Sequence, residues 1–373
     1  MNFNLLQERA LAKGFKSIEI YQVKKSGADI KVFNKEVQSS TTYETNVCAV
    51  RGVYKKKVGL FYTENLVDDS NIDAILDAII VNTSVINTKE PSFFYKGDKK
   101  YKELEVVKSN FHEFSMKQKT DLCFEVENAV LTKHKTVTSS NVSYSESTTS
   151  VTIKNSNGLN LTREDSYATL FADAVCRNSK DVKNGYDYQV VFDFNEFNPA
   201  KLAKGAVDLT VKSLNATSIE SNKYKVILDA SAASNLLQVF SNNFSAAALL
   251  KKTTFLADEL GNKVFGDNIT IVDDPLFKKA LSKSTFDDEG VKASKTTLVE
   301  NGVFKNFMHN LKTAKMLKAK STSNGFKPSV AAAVSVMPSN LYLKPGKNKV
   351  KDLYASCQNG VLIRSLAGLH SGV

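Results

Sequence analysis

The sequence predicts an α+β protein of several domains, with mixed and antiparallel sheets and flanking helices. The chain has 373 residues, which is more than one ordinary hydrophobic core organises. Hydrophobic residues make up 42% and charged residues 24%, the balance of a globular chain and not of a disordered one. Helical and strand patterns follow each other without the regular strand–helix–strand rhythm of a doubly wound sheet. We therefore expect three units, at residues 1–108, 109–220 and 221–373.

The first unit combines two amphipathic helices with alternating strands. A helix over 3–13 ends at Gly14, and a second helix over 71–85 carries isoleucines at helical spacing. Gly27 and Gly59 read as strand breakers. The predicted strands cover 17–23, 29–33, 45–53 and 57–62. A Lys-rich stretch over 90–108, with Pro91, is the predicted linker.

The second unit begins with a helix over 116–131 and ends with a helix over 198–214. Pro199 falls in the first turn of the latter helix, where its missing N–H is not needed. Asn157-Gly158 is a strong hairpin signal between two strands. The strands are rich in Ser and Thr, which suits a sheet with one hydrated face, and they cover 135–144, 148–155 and 167–177.

The third unit is predicted to contain one helix and several short strands. The helix covers 230–249 and is apolar on more than one side, so we expect it to be buried. The strands are expected at 224–228, 268–272, 296–299, 304–310 and 341–343. Residues 360–373 are apolar and stop in mid-pattern, which predicts a C-terminally truncated domain.

Composition and cysteine spacing indicate a cytoplasmic protein. No apolar run approaches the roughly 18 residues that cross a bilayer, and the first residues lack a signal-peptide pattern. Four scattered cysteines form no CxxC pair, which is typical of free thiols in a reducing compartment. The sequence therefore predicts no membrane partner.

The net charge of +11 raises the question of nucleic acid. However, the excess consists of Lys spread along the chain, and only five residues are Arg, the side chain that favours bidentate phosphate and guanine contacts. The sequence thus argues against nucleic acid as the partner. Binding through the Lys surface, the weaker alternative, would show a steep dependence on salt.

Motifs for catalytic chemistry are incomplete. His112-Glu113 begins like an HExxH zinc motif, but Met116 stands where the second His is needed. The four histidines, of which His370 is the last, show no ligand spacing. The acidic run 287–289 could suggest calcium, but Gly290 after it favours a turn. Walker, Rossmann and GxSxG patterns are absent from the sequence.

Four segments carry a resemblance to a known family. They read KKTTFL (251–256), FDDEGV (286–291), LVENGV (298–303) and KSTSNG (320–325). In this order and spacing they resemble the C-terminal domain of the TldD/PmbA family. The resemblance implies a two-subunit peptidase in which one subunit carries a zinc-binding HExxxH helix. A gapless match places the three motif positions at Gln238, Val239 and Asn243, and these residues are poor zinc ligands or bases.

This departure resembles the PmbA-like branch. It implies no cofactor in this chain and a zinc ion in a TldD-type partner subunit. The best site without metal is the loop ending at Gly325, because its hydroxyls and amide could bind peptide. The peptide-binding candidates are Ser321, Thr322, Ser323, Asn324 and Gly325. The alternative is a turn that satisfies only itself.

The function that the resemblance implies is a subunit of a cytoplasmic metallopeptidase that processes unfolded peptides. This chain would contribute part of a chamber and strand edges that bind an extended peptide. The partner would be a zinc-bearing paralogue in a heterodimer. The alternative is a homodimeric binding or regulatory protein without peptidase activity, in line with the family's label as a modulator of DNA gyrase.

Overall fold

A computed structural model describes residues 2–64, 68–87, 93–104 and 109–369. Its largest feature is a seven-stranded, fully antiparallel sheet with the order β3-β2-β1-β5-β6-β4, in which β7 also pairs with β6. The strands are β1 (Ser17–Phe33), β2 (Glu36–Tyr54), β3 (Lys57–Thr63), β4 (Val137–Ser139), β5 (Asn141–Asn155), β6 (Asn160–Arg177) and β7 (Val182–Val191).

The prediction that Gly27 and Gly59 break strands is wrong, because both lie inside strands. A Cβ at Gly27 would lie 2.0 Å from the Glu146 carbonyl oxygen of β5. At Gly59 it would lie 2.5 Å from the Ile79 carbonyl oxygen. Glycine is thus used here for close approach. The predicted strands 17–23 and 29–33 are therefore one strand. The hairpin at Asn157-Gly158 is confirmed, and Gly158 has a φ of +100°.

Four helices cover one face of this sheet. The first pair, α1 (Phe3–Ala12) and α2 (Ile72–Ser84), packs near Ile18 of β1. The second pair, α3 (Met116–Lys133) and α4 (Pro199–Ser213), packs near Ile30 of the same strand. Because even-numbered β1 residues point to one face, Tyr21 points to the other. There it meets Phe286 of the C-terminal region.

The C-terminal region is built from short elements around Phe244, Leu298 and Phe304. Its strands are β8 (Val226–Leu228), β9 (Ile271–Asp273), β10 (Thr296–Glu300), β11 (Val303–Phe304), β12 (Gly325–Phe326), β13 (Ser335–Val336), β14 (Leu341–Leu343) and β15 (Val361–Ile363). Its helices are α5 (Ala230–Phe240), α6 (Ala246–Lys251), α7 (Leu311–Met316) and α8 (Val350–Ser356). The four-stranded sheet has the order β11-β10-β9-β14, and β8 pairs with β15 in parallel.

These elements confirm the α+β class with largely antiparallel sheets and flanking helices. The predicted strand over 304–310 is wrong beyond Phe304. The three-unit division stays a prediction, and the large sheet runs across its first boundary, since β1 pairs with β5. Pro91, in the predicted linker, and His370, with the last residues of the apolar end, lie outside the described residues.

Candidate functional site

The segment that matches the metal-binding helix is interrupted. Helix α5 ends at Phe240, a single 3-10 turn covers Ser241–Phe244, and α6 starts after Ser245. The Ser241 hydroxyl donates to the Gln238 carbonyl at 2.6 Å, and the Ser245 hydroxyl accepts from Ala247 N. These side chains offer the backbone alternatives to helical bonds, which is why the predicted continuous helix over 230–249 is wrong.

The prediction of a buried helix is also wrong for α5, where Ala232 is the single buried residue. Gln238 is exposed, and Val239 is half-buried. The Asn243 amide donates to the Phe240 carbonyl at 3.2 Å. Two amides and a valine do not offer the imidazole, thiolate or carboxylate donors that zinc prefers. The residues at these positions therefore do not fit the zinc ion that the family resemblance implies.

The loop at Ser321–Gly325 is bound into the protein by its own polar groups. The Asn324 amide is fully buried and donates to Asp273 Oδ2 at 2.7 Å and to the Met337 carbonyl at 3.0 Å. The Thr322 hydroxyl donates to Asn324 Oδ1 at 2.6 Å. Ser323 is buried and accepts from Ser294 N. Most of the hydrogen-bonding capacity of this loop is used internally, as in a self-satisfied turn.

The acidic run 287–289 forms a buried turn at the face of the large sheet. Gly290 has a φ of +81°, and its N–H donates to the Asp287 carbonyl at 3.0 Å. Asp287 accepts from Val291 N at 2.9 Å and from Gly325 N at 2.9 Å. The turn is thereby tied to the Ser321–Gly325 loop. The turn interpretation of this run, favoured over a calcium loop, agrees with these bonds.

Two arginines of the sheet lie at or near this turn, and the sequence analysis missed both. Arg163 of β6 pairs with Asp288 at 2.6 Å and lies 5.3 Å above the Phe286 ring. Arg51 of β2 pairs with the buried Glu19 of β1. The signal was present in the composition, since the chain has only five arginines. A rare guanidinium inside an apolar strand is a mark of a buried ion pair.

The Arg163–Asp288 and Arg51–Glu19 pairs, together with Asp287, Glu289 and Lys327, are called the ionic cluster below. A cleft of about 380 Å³ opens beside it, between the large sheet and the C-terminal region. Glu19 and Arg51 line it on one side, and Glu289 and Leu311 on the other. Glu289 Oε2 accepts from Leu311 N at 2.7 Å. The nearby aromatic wall is formed by Phe93, Phe94 and Tyr95.

Burial dominates the protonation of this cluster. It raises the pKa of Asp287 to about 7, and burial together with the Asp287 carboxylate raises the pKa of Glu289 to about 8. Burial also lowers the pKa of Lys327 to about 7. The Lys327 ammonium lies 4.8 Å above the Tyr21 ring. The cluster therefore combines two carboxyl groups of raised pKa with an ammonium group of lowered pKa.

Two further histidines of the described residues differ in their surroundings. His112 lies in a single 3-10 turn, Phe111–Glu113, and lines a polar cavity of about 420 Å³ with Thr42 and Glu146. His309 is buried, and burial lowers its pKa. Across residues 2–64, 68–87, 93–104 and 109–369, no three His, Cys, Asp or Glu side chains form a metal-binding group. In the same ranges, no helix is long and apolar enough to cross a membrane.

Comparison with known proteins shows which family has this architecture. The PmbA/TldA metallopeptidase domain 1 matches residues 18–81, its central domain matches 109–214, and its C-terminal domain matches 221–373. The chain belongs to the PmbA/TldD family. These three matches follow one another along the chain in the order of the family's domains.

Two relatives show how far the PmbA/TldD likeness extends. A metalloprotease of Methanocaldococcus jannaschii is 25% identical over 332 residues, which is 87% of this chain and 72% of the relative. A metalloprotease PmbA homologue of Haemophilus influenzae is 26% identical and covers 55% of this chain and 46% of its own. Other relatives are matched over about half of their length.

Solved structures carry the same fold. A Thermotoga maritima protein described as a candidate modulator of a DNA gyrase superposes with a TM-score of 0.89 at 26% identity, covering 100% of this chain and 84% of that one. TldE from Thermococcus kodakarensis superposes with a TM-score of 0.87 at 22% identity, covering 98% and 83%. The predicted PmbA/TldD-like fold is thus confirmed.

Proposed function

We propose that this chain is a PmbA/TldE-like subunit of a cytoplasmic zinc metallopeptidase that processes unfolded peptides. Its partner is a TldD-type paralogue that holds the zinc, and this chain contributes chamber wall and peptide-binding strand edges. The observation that carries the proposal is the pairing of a PmbA/TldD fold with Gln238, Val239 and Asn243 at the matched motif positions. Such a chain needs a second polypeptide to supply the metal chemistry.

The surface of the C-terminal region supports a partner. Large apolar side chains stand in solvent there, among them Phe255 at 66% and Leu260 at 58% exposure. Val226 of β8 and Tyr354 of α8 are about half exposed as well. A partner subunit that covers these side chains would remove their apolar surface from water.

In this proposal the loop at residues 321–325 contributes by holding neighbouring strands in place. Its internal bonds hold β12 (Gly325–Phe326) against β13, and the Asp287–Gly325 bond anchors that pair to the acidic turn. Ser321 and Thr322 are half-buried, so they are the members with surface left for a peptide. The loop would thus shape the chamber wall and offer few side chains directly.

The proposal is tested with the natural chain, alone and with a TldD-type paralogue from the same genome. We expect no stoichiometric zinc in the chain alone and no cleavage of a fluorogenic unfolded peptide. Activity should appear on mixing with the paralogue and should vanish when the Glu of the paralogue's HExxxH motif is changed to Gln. Stoichiometric zinc together with activity in the lone chain would contradict the proposal.

A homodimeric regulatory protein without peptidase function is the second candidate. It is favoured by the Thermotoga maritima neighbour, which is described as a candidate modulator of a DNA gyrase. Affinity capture from the host distinguishes the two. Recovery of a zinc-bearing paralogue supports the peptidase subunit, and recovery of the chain alone as a dimer supports the regulatory protein.

A further inference from the structure

The outer edge of β2 is open over part of its length. Strand β2 pairs with β1 from end to end, whereas β3 pairs with it only from Cys48 to Tyr54. Among the described residues, no strand pairs with the outer edge of residues 36–43. The side chains of residues 36–42 are exposed on both faces of the sheet. Residues 36–43, a segment of eight residues, are called the open edge below.

The direction of each backbone group on the open edge follows from the register. Ser156 N donates to the Ile18 carbonyl at 2.9 Å, so even-numbered β1 residues direct their backbone groups toward β5. Successive residues of an antiparallel ladder alternate, so odd-numbered β1 residues face β2. Asp29 pairs with Thr41, which therefore faces β1, and Ser40 and Thr42 direct their N–H and C=O groups outward.

The open edge carries few of the features that usually prevent strand addition. Natural edge strands are protected by charges, prolines, bulges or covering segments. Residues 37–43 contain no charged residue and no proline. The register shift opposite Lys31 and Val32 places a bulge at Gln38, so the regular part of the edge begins at Ser39. The regular, extended part of this edge is suited to pairing with another strand.

We propose that the open edge, Glu36–Tyr43, binds an extended peptide as an additional antiparallel strand. The inference rests on the proposed function in that its occupant is an unfolded peptide. Backbone groups of Ser40 and Thr42 would pair with the peptide, so recognition depends little on its sequence. The site is distinct from the cleft beside Arg51.

A cavity at the end of the open edge indicates which side chains the peptide carries. The polar cavity of about 420 Å³ is lined there by Thr42, Tyr43 and Glu44. The carboxylate of Glu146, also in the lining, is already paired with Lys119 at 2.8 Å. Glu44 is exposed and in no described ion pair. The cavity therefore favours a basic or hydroxyl side chain.

Charge placement disfavours a second copy of this chain as the occupant. If two copies paired antiparallel about Ser40, the acidic residues that flank the segment, Glu36 of one copy and Glu44 of the other, would lie close together. Like charges directly opposite each other destabilise a strand pair. A net charge of +11 on each chain adds repulsion over longer distances.

The test uses the peptide Thr-Lys-Val-Thr-Val-Lys-Thr, labelled with fluorescein, and the natural chain without partner or zinc. Ser40→Pro removes one outward N–H, and proline is tolerated where a strand's N–H faces solvent. We expect Ser40→Pro to weaken binding about tenfold or more, because a backbone bond and the fit of the added strand are lost. Ser40→Ala keeps the N–H and should bind within about twofold of the natural chain.

Amide hydrogen exchange on the unsubstituted chain gives a second measurement that does not depend on a variant folding. The peptide should slow exchange at Ser40 and Thr42 and leave Thr41, already bonded to β1, unchanged. Equal binding by Ser40→Pro and Ser40→Ala, or protection confined to another segment, would overturn the proposal. A dimer that Ser40→Pro converts to a monomer would also overturn it, since the occupant would be a second copy.

The two proposals fail separately. Equal affinities of the Ser40 variants would remove the open edge as a site and leave the zinc and partner measurements untouched. Stoichiometric zinc with activity in the lone chain would remove the subunit role and leave the peptide affinities as measured.

Discussion

The large sheet and the C-terminal region are stabilised by different kinds of interaction. Six of the seven strands of the sheet have seven or more residues, and the longest, β2, has 19. In the C-terminal region the longest strand, β10, has five residues. Order there comes from buried polar groups, such as Asp273, which accepts from Asn324 and Ser339. A long ladder fixes geometry through repetition, whereas the second region relies on individual bonds that single substitutions can remove.

The large sheet and the C-terminal region contact each other at the ionic cluster. Substitutions there therefore test how much this contact contributes to stability. Arg163 belongs to β6, while Asp288 belongs to the acidic turn. Asp288 also accepts from Lys327 N at 2.8 Å. Each partner is less than one fifth exposed.

Arg163→Ala is expected to have the largest effect. It leaves the Asp288 carboxylate buried without its cation, which typically costs about 3–5 kcal/mol of the free energy of unfolding. Because the lost contact joins the two regions, limited proteolysis should cut the C-terminal region before the sheet. Urea unfolding followed by proteolytic mapping measures both effects.

Arg177→Ala is the matched control, since Arg177 ends the same strand and is exposed. It should change the free energy of unfolding by less than about 0.5 kcal/mol. Equal destabilisation by the two variants would show that the junction contributes no more than a surface position.

Gly59→Ala tests the sheet side of the comparison. A Cβ there would lie 2.5 Å from the Ile79 carbonyl and 2.6 Å from Thr83 Cγ2, so α2 must move away from β3. Overpacking of this kind typically costs about 1–3 kcal/mol. Thermal unfolding measures the change, and the effect should be confined to α2 and β3 in an amide-exchange map.

Gly346→Ala serves as its control, because nothing lies within 4 Å of a Cβ at that position. It should leave the unfolding midpoint nearly unchanged. A Gly59→Ala chain as stable as the natural one would mean that α2 moves away from β3 without a loss of stability.

The sequence predicted elements well where one periodicity persists. Helices α3 and α4 were placed within two residues, because their apolar stripes and the Pro199 start are unambiguous. Breaks were predicted poorly. Gly27 reads as a breaker locally, and only the neighbouring Tyr43 and Glu146, distant in sequence, show that it serves close approach.

The candidate site was less accessible to prediction because it combines residues far apart in the chain. The Arg163–Asp288 pair spans 125 positions, and the bond from Asn324 to Asp273 spans 51. The open edge of β2 depends on where β3 stops pairing, which residue types do not determine. The self-satisfied turn at Asn324 could be foreseen as an alternative, since Ser, Thr and Asn commonly bond locally.

Glu289→Gln is expected to give the smallest effect, visible as a change in pH dependence. The raised pKa of Glu289, about 8, means that the folded chain holds a proton that the unfolded chain releases. Its contribution to stability is full below the ordinary value of 4.5 and is lost as pH rises toward 8. Between pH 6 and 7 this amounts to about 1 kcal/mol. Asp287 acts in the same direction, and Lys327, with its lowered pKa, acts in the opposite one.

The comparison of variants isolates the Glu289 carboxyl, because the other two groups remain in both chains. Urea unfolding at pH 6 and pH 7 should show a smaller loss of stability with pH in Glu289→Gln than in the natural chain. Glu300→Gln, at an exposed end of β10, should leave the natural slope unchanged. Identical slopes in Glu289→Gln and the natural chain would mean that Glu289 is already ionised in the folded chain at these pH values.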